Sequence, residues 1–349
     1  MTSNIYSNFK LAWFNDKLIS LRDGTVTAPI YVRIKPINRC NHNCFFCVYR
    51  SELSNMHNEM NDLDRLSREK LLEILDDFRI MGVKAVTYSG GGEPLIHRDI
   101  VEVLDKTKAN GIDLSIITNG QLLSGDRAAA LTDAKWVRIS MDYYDAGSFI
   151  QSGRGTARTF DAIIKNIDDF ARRRKSGCNI SVNFIITKNN YHQIEYATIL
   201  LKNLGVDNVR FSPVWFDDFL AYHEPIREQV LANLQAAKKH ECDTFKIYHS
   251  YRIEKDQMSR TYHKCFIQQI IPAIGADYNV YNCHNKSYSF DAIIGNIRNQ
   301  SFRQMWFSEE TKKHFMEFDA MKCCNCQCAN DAKNKFLHDI ISAYGDNYV

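Results

Sequence analysis

The chain has 349 residues, 45% hydrophobic and 24% charged, with 44 basic against 41 acidic residues and a net charge of +3. This length holds one large domain or two, and the composition belongs to a globular protein with ample core. The near balance of charge argues against nucleic acid or an anionic membrane as the main partner, and no run approaches the apolar length of a membrane span.

Residues 1–29 are weakly patterned and end in the turn-like Arg22-Asp23-Gly24. They read as an N-terminal extension packed on the main domain. The first residues, MTSNIYSNFKLAWFNDKL, lack the basic start and apolar run of a signal peptide, so a cytoplasmic location is expected.

From Ile30 the pattern changes. Ile30–Ile34 is a short run rich in branched residues, hence a strand. Its helix is Arg68–Met81, with Leu71, Leu72, Leu75 and Phe78 at helical spacing and Ser67 as N-cap. Five more units follow: strand Ala85–Tyr88 with helix Asp99–Asn110, Leu114–Ile117 with Arg127–Leu131, Trp136–Ile139 with Phe160–Lys175, Ile180–Ile186 with Ile194–Leu204, and Asn208–Phe211 with Ile226–His240. Strands alternating with helices predict a parallel sheet covered by helices. Six units over residues 30–245 suit an incomplete (β/α)6 barrel, with a doubly wound open sheet as the structural alternative. In both, reactive loops lie at the C-terminal ends of the strands. The alternation stops near Tyr248, and residues 246–349 read as a smaller, loop-rich domain.

Eleven cysteines in a reducing compartment read as metal ligands before disulfides. They cluster: Cys40, Cys44 and Cys47 in the spacing Cys-x3-Cys-x2-Cys, and four at 323–328, whereas Cys178 and Cys242 stand alone. Three thiolates can converge on one soft metal centre, and on a four-iron cluster they leave one iron open. A zinc knuckle is the alternative and needs a fourth ligand such as His42 or His57. The loop after the second strand reads Ser89-Gly-Gly-Gly-Glu-Pro94, and glycines there let backbone approach a ligand closely.

The cysteine triplet with Phe46, followed by Gly90-Gly-Gly-Glu-Pro94, closely resembles the radical S-adenosylmethionine (SAM) superfamily over residues 30 to about 215. The resemblance implies that Cys40, Cys44 and Cys47 hold a [4Fe–4S] cluster whose fourth iron is chelated by SAM. It implies reductive cleavage of SAM to methionine and a 5′-deoxyadenosyl radical that abstracts a hydrogen atom. Phe46 resembles the aromatic beside the adenine, and backbone carbonyls of Gly91 and Gly92 or the Glu93 carboxylate suit the SAM ammonium. Ser140 and Asp142 end the fourth strand, where the family contacts SAM, though both residue types also serve as ordinary caps. Asn183 reaches toward the ribose hydroxyls or bonds only to backbone. Arg154 forks onto the SAM carboxylate or is a solvated loop charge.

The second cysteine set resembles the auxiliary-cluster domains called SPASM and twitch. Cys265, Cys283, the step Ile294-Gly-Asn-Ile297, Phe302-Arg-Gln-Met-Trp306 and Cys323-x2-Cys326 carry the likeness. No cysteine follows Cys328, so one auxiliary [4Fe–4S] cluster is expected, held by Cys265, Cys283, Cys323 and Cys326, with Cys324 and Cys328 as substitutes and zinc as the alternative.

A fully ligated second cluster suits electron transfer. The resemblance therefore implies an oxidoreductase acting on a small polar molecule (a sugar, cyclitol or nucleoside), by dehydrogenation, with flavodoxin or ferredoxin as electron donor. Epimerisation and peptide modification are the alternatives, and a redox sensor without catalysis is the remote one. Residues 1–29 are too short for a peptide-recognition domain, and the terminal glycine pair of the molybdopterin cyclase is missing. Trp215–His223 is read as either a substrate wall or a packed connection.

Overall fold

The computed structural model describes residues 8–54, 59–253, 260–323 and 328–342. After a short 3-10 turn comes helix α1 (Asn15–Arg22). Then follow β1 (Tyr31–Ile34), α2 (Arg68–Met81), β2 (Ala85–Tyr88), α3 (Ile100–Ala109), β3 (Asp113–Thr118), α4 (Gly125–Leu131) and β4 (Trp136–Ser140). Next are α5 (Ala146–Gln151), α6 (Ala157–Arg173), β5 (Asn179–Ile186), α7 (Ile194–Asn203), β6 (Asn208–Pro213), α8 (Phe219–His223), α9 (Arg227–Lys238) and β7 (Lys246–His249). The chain closes with β8 (Ala273–Ile274), β9 (Asn279–Tyr281), β10 (Ile293–Asn296), α10 (Phe302–Trp306), α11 (Glu309–Glu317) and α12 (Asp331–Ser342).

All ten strands form one sheet in the order β10-β9-β8-β1-β2-β3-β4-β5-β6-β7. Strands β1 to β7 are parallel, as the alternation predicts. The seventh, β7, lies beyond the six units legible in the sequence. The C-terminal segment does not stand apart: β8 pairs parallel with β1, and β9 and β10 extend from it as antiparallel strands. Among the described residues, no helix is long and apolar enough to cross a membrane.

The alternation along each strand sorts its two faces. Val32, Ile34, Val86, Tyr88, Leu114, Ile116, Val137, Ile139, Val182 and Phe184 are buried on the helix-covered side. The opposite face carries Arg33, Lys35, Ser140 and Asn183, which line one cavity together with the loops at the strand ends. Barrels of this kind usually fill their lumen with branched apolar side chains. Here polar residues line it, which leaves room for a polar ligand.

The helices form for local reasons. The Ser67 side chain caps α2 by accepting from the Lys70 amide at 3.1 Å. Thr156 and Thr159 form a capping box at the start of α6. The C-terminal segment docks through α10. Trp306 is fully buried, stacks on Phe302 and donates its indole N–H to the Thr27 carbonyl at 2.9 Å. Phe302 meets Phe78 of α2 edge-on at 5.0 Å. Trp306→Ala is therefore expected to cost about 3–5 kcal/mol, read as a lower urea midpoint at unchanged slope. A second small core joins Leu11 and Leu21 to Phe266, Ile267, Ile270 and Leu337, so the segment around α1 packs against α12.

Candidate iron-sulfur and cofactor site

The first cysteine loop is held from three sides. The amides of Asn43 and Phe45 donate to the carbonyls of Gly153 and Ser152 at 3.2 Å each. Gly153 has φ +76°, and a Cβ there would strike the Asn43 carbonyl. Gln121 accepts from Asn41 at 2.7 Å and pairs with Nε2 of His42 at 3.0 Å. Asn119 donates to Asn41 at 2.8 Å. His42 thus orders the loop through Gln121. Burial pushes its imidazole down to about 4, so it is neutral at physiological pH. His57, the other zinc-knuckle ligand considered, lies outside the described residues.

The glycine turn zips onto the segment leading into the cysteines. Gly92 N–H donates to the Ile37 carbonyl and Glu93 N–H to the Arg39 carbonyl, each at 3.1 Å. A Cβ on Gly92 would fall on the carbonyls of Arg39 and Asn38. Gly92→Ala is expected to displace the cysteine loop, costing about 1–3 kcal/mol and lowering iron retained at the first site after reconstitution. Glu93 is buried and accepts from the Leu95 amide at 3.0 Å and from the Thr118 hydroxyl and Asn119 amide at 2.7 Å each. Burial raises its pKa, against the pull of those bonds. In this arrangement Glu93 ties the second and third strand-end loops together.

Arg50 was not singled out by its spacing, yet it clamps the site. It donates to the carbonyls of Gly91 (3.0 Å) and Asn38 and pairs with Asp62 at 2.8 Å. Only the folded loop brings those carbonyls together, so local pattern carries no signal for it.

Phe46 is buried beside Phe45, and the Arg154 guanidinium lies 5.6 Å from its ring. Arg154 is no solvated loop charge. It is buried, paired with the fully buried Asp142, and donates to the Ser140 carbonyl at 2.6 Å. Its Nε has no partner among the described residues. Asp142 also accepts from the Ile185 amide at 2.6 Å, so it orients Arg154 and does not line the cavity. Ser140 and Asn183 do line it, and Asn183 accepts from the Ser212 hydroxyl at 3.3 Å.

The three thiols are gathered. Cys44 is pushed up to about 11 by burial, with Arg154 opposing and Asp142, Cys47 and Cys40 adding to it. The thiol of Cys40 is raised by burial as well, and the Cys47 and Glu93 charges add to that. Among the described residues no three His, Cys, Asp or Glu side chains have the geometry of a single-ion site. Three soft, unbridged thiols on one polar loop, with an open cavity beside them, suit an iron-sulfur cluster with one iron left for a further ligand.

The second set converges too. Burial raises the Cys265 thiol above the ordinary range, and Cys283, Cys328 and Cys323 all raise it further. Cys283 is pushed up to about 11 by burial, with Cys328 and Cys323 adding to it. The described members gathered here are therefore Cys265, Cys283, Cys323 and Cys328; Cys324 and Cys326 lie outside the described residues. Four thiols match the ligand count of a fully bound [4Fe–4S] cluster. Cys178 is buried at the entry to β5, remote from the strand-end loops, and Cys242 sits in a turn closed by Phe245.

A cavity of about 380 Å³ opens beside the first cysteine set. It is lined by Cys40, Cys44 and Cys47, by the glycine turn, and by His284, the neighbour of Cys283. Lys35 and Tyr49 lie between the sets, since Lys35 feels both Cys283 and Cys47. Lys35 donates to the Tyr49 hydroxyl at 2.5 Å, and burial pushes its ammonium down to about 7.

The Trp215–His223 loop serves as both wall and packing. Trp215 lines the cavity and stacks on buried Phe219 at 5.0 Å. His223 is fully buried, bonded to the Val214 carbonyl at 2.9 Å and to the Tyr251 hydroxyl at 3.3 Å. Burial lowers its pKa, so its contribution to stability is present above the ordinary value of 6.5 and is lost as pH falls below it. The melting temperature is expected to drop between pH 7.5 and 5.5, less steeply in His223→Phe.

Residues 34–198 match the radical SAM superfamily, and residues 265–329 match SPASM, an iron-sulfur cluster-binding domain. The chain is 25% identical over 309 residues to a tungsten-containing aldehyde ferredoxin oxidoreductase cofactor-modifying protein of Pyrococcus furiosus, covering 80% of this chain and 81% of that one. It is 36% identical over 130 residues to a GTP 3′,8-cyclase of Lactiplantibacillus plantarum, but spans only 37% of that protein's length. Among solved structures, SuiB of Streptococcus suis bound to its precursor peptide SuiA aligns with TM-score 0.63 at 18% identity, over 91% of this chain and 73% of that one. The anSMEcpe structure with bound AdoMet aligns with TM-score 0.59 at 14% identity, over 90% of this chain and 97% of that one. At these identities the two structures speak for the fold.

Proposed function

The chain belongs to the radical SAM superfamily and carries a SPASM domain, and from that premise we propose that it dehydrogenates a small polar molecule, with the second cysteine set holding an electron-accepting cluster. The observation that carries this reading is the single cavity running from Cys40, Cys44 and Cys47 to His284, beside Cys283. A substrate seated there faces the first cysteine set and reaches His284, the neighbour of Cys283.

Cys40, Cys44 and Cys47 would hold the first [4Fe–4S] cluster, and Cys265, Cys283, Cys323 and Cys328 the second. With SAM bound, the first site supplies one-electron cleavage of the sulfonium and hydrogen-atom abstraction from a C–H bond. The residues of the chain position and shield. Arg154, locked by Asp142, offers its free Nε to the SAM carboxylate. Phe46 flanks the adenine. Carbonyls of the Gly91-Gly92 turn would accept from the SAM ammonium, and Ser140 and Asn183, which line the same cavity, would hold its ribose. Lys35 and Tyr49, bonded to each other, line the cavity between the cysteine sets. A small carrier such as flavodoxin or ferredoxin supplies the first electron.

A peptide substrate is the second reading, favoured by the fold shared with SuiB, whose structure holds its precursor peptide. Substrate-dependent turnover separates the readings. Dehydrogenation gives one 5′-deoxyadenosine per product oxidised by two electrons. Solvent deuterium in a product of unchanged oxidation state indicates epimerisation instead, and a modified peptide overturns the small-molecule reading.

A further inference from the structure

Buried polar atoms without partners are uncommon, because each forfeits its hydration for nothing. Around this cavity they recur among the described residues, three of them donors beside Nδ1 of His42. Nε of Arg33, Nε of Arg154 and Nε1 of Trp215 are all buried and unpartnered. Arg154 belongs to the SAM end described above. Arg33 and Trp215 do not: Arg33 lies on β1, and Trp215 follows β6 across the sheet.

Arg33 makes no salt bridge among the described residues, and Tyr31 lies along its guanidinium at 6.0 Å. Two residues on, Lys35 is almost fully buried and bonded to the Tyr49 hydroxyl, with no carboxylate in contact. The carboxylate whose charge acts on it, Asp277, is held by the Tyr281 hydroxyl at 2.5 Å and Asn279 at 2.7 Å. Lys333 of α12 feels the charges of both Arg33 and Arg210, though neither Lys333 nor Arg210 lines the cavity. Arg33 and Lys35 bring donors and positive charge to this wall, and among the described residues no carboxylate pairs with either.

We propose that the β1 wall of the cavity seats an oxyanion of the substrate, a phosphate ester or carboxylate of a small molecule, on Arg33 and Lys35, while the Trp215 indole N–H donates to an acceptor at the substrate's other end. This names the substrate class for the site described under Proposed function and rests on that reading. An oxyanion supplies the acceptor that Arg33 lacks and offsets the mutual repulsion of the cations. The charge assistance is strongest where water is excluded, as it is around Lys35.

The test is anaerobic titration calorimetry on the protein reconstituted with both clusters and saturated with SAM, using inorganic pyrophosphate and succinate as probes. At least one probe is expected to bind, and the tighter of the two distinguishes phosphate from carboxylate. Arg33→Gln is expected to weaken binding about tenfold or more, and Arg33→Lys less. If Arg33→Gln does not fold, Lys35→Met carries the same expectation. No binding of either probe to the cluster-loaded protein overturns the proposal. So does binding undiminished in the variant, or binding only after the clusters are removed, since the clusters would then be the counter-ions. SAM cleavage measured on the same wild-type sample keeps the two claims apart. Cleavage without anion binding sinks this proposal alone, and anion binding without cleavage upholds it while sinking the function from which it was reached.

Discussion

A Cys40→Ala, Cys44→Ala, Cys47→Ala protein is expected to keep roughly half of its iron and to lose SAM cleavage entirely. The two cysteine sets are held by different parts of the chain. The first hangs on Gly153, Ser152 and Gln121. The second is built from the turn before Phe266, the end of β9 and the approach to α12. Nothing in the backbone pairing of one loop depends on the thiols of the other. Iron analysis and the cluster absorbance of the anaerobically reconstituted variant check this. Loss of all iron would contradict two separately held sites.

Asp142→Ala is expected to be the most damaging single change at the site, costing about 3–5 kcal/mol. It strands the buried Arg154 guanidinium against Phe46 and beside Cys44. It also frees the Ile185 amide that Asp142 accepts at 2.6 Å. The Asp142→Leu, Arg154→Met double variant is expected to recover part of that stability, because it removes both charges. It should not recover SAM binding, because the Nε donor is gone. Anaerobic urea unfolding reads the first effect and equilibrium binding of SAM the second. A double variant less stable than Asp142→Ala would contradict the assignment of the cost to the stranded charge.

What could be read from the sequence was local. The Cys40-Cys44-Cys47 spacing, the Gly90–Pro94 turn and the Ser67 cap each lie within a few residues, and the parallel strands show in their apolar runs. What could not be read depends on chain returning from afar. Arg50 is tied to Gly91 across 41 positions, and Asn41 to Gln121 across 80. Strand β7, Lys-Ile-Tyr-His, buries only Ile247 and so shows no apolar run. The two residues of β8 are too few to carry a pattern, yet they fasten the C-terminal segment to β1. The spacing of the four cysteines at 323–328 does not say which of them join Cys265 and Cys283; folding brings Cys323 and Cys328 beside them, while Cys324 and Cys326 lie outside the described residues. The cations of β1 look like ordinary surface charges until the sheet turns that face inward.

The central claim is that the three cysteines after β1 form a SAM-cleaving centre. Its most direct test is reduction of the anaerobically reconstituted protein with dithionite in the presence of SAM, followed by quantification of the products. The account predicts methionine and 5′-deoxyadenosine released in equal amounts, abolished in the triple cysteine variant. A reduced protein carrying both clusters that releases neither product would contradict it and leave a redox protein that uses its iron without cleaving SAM.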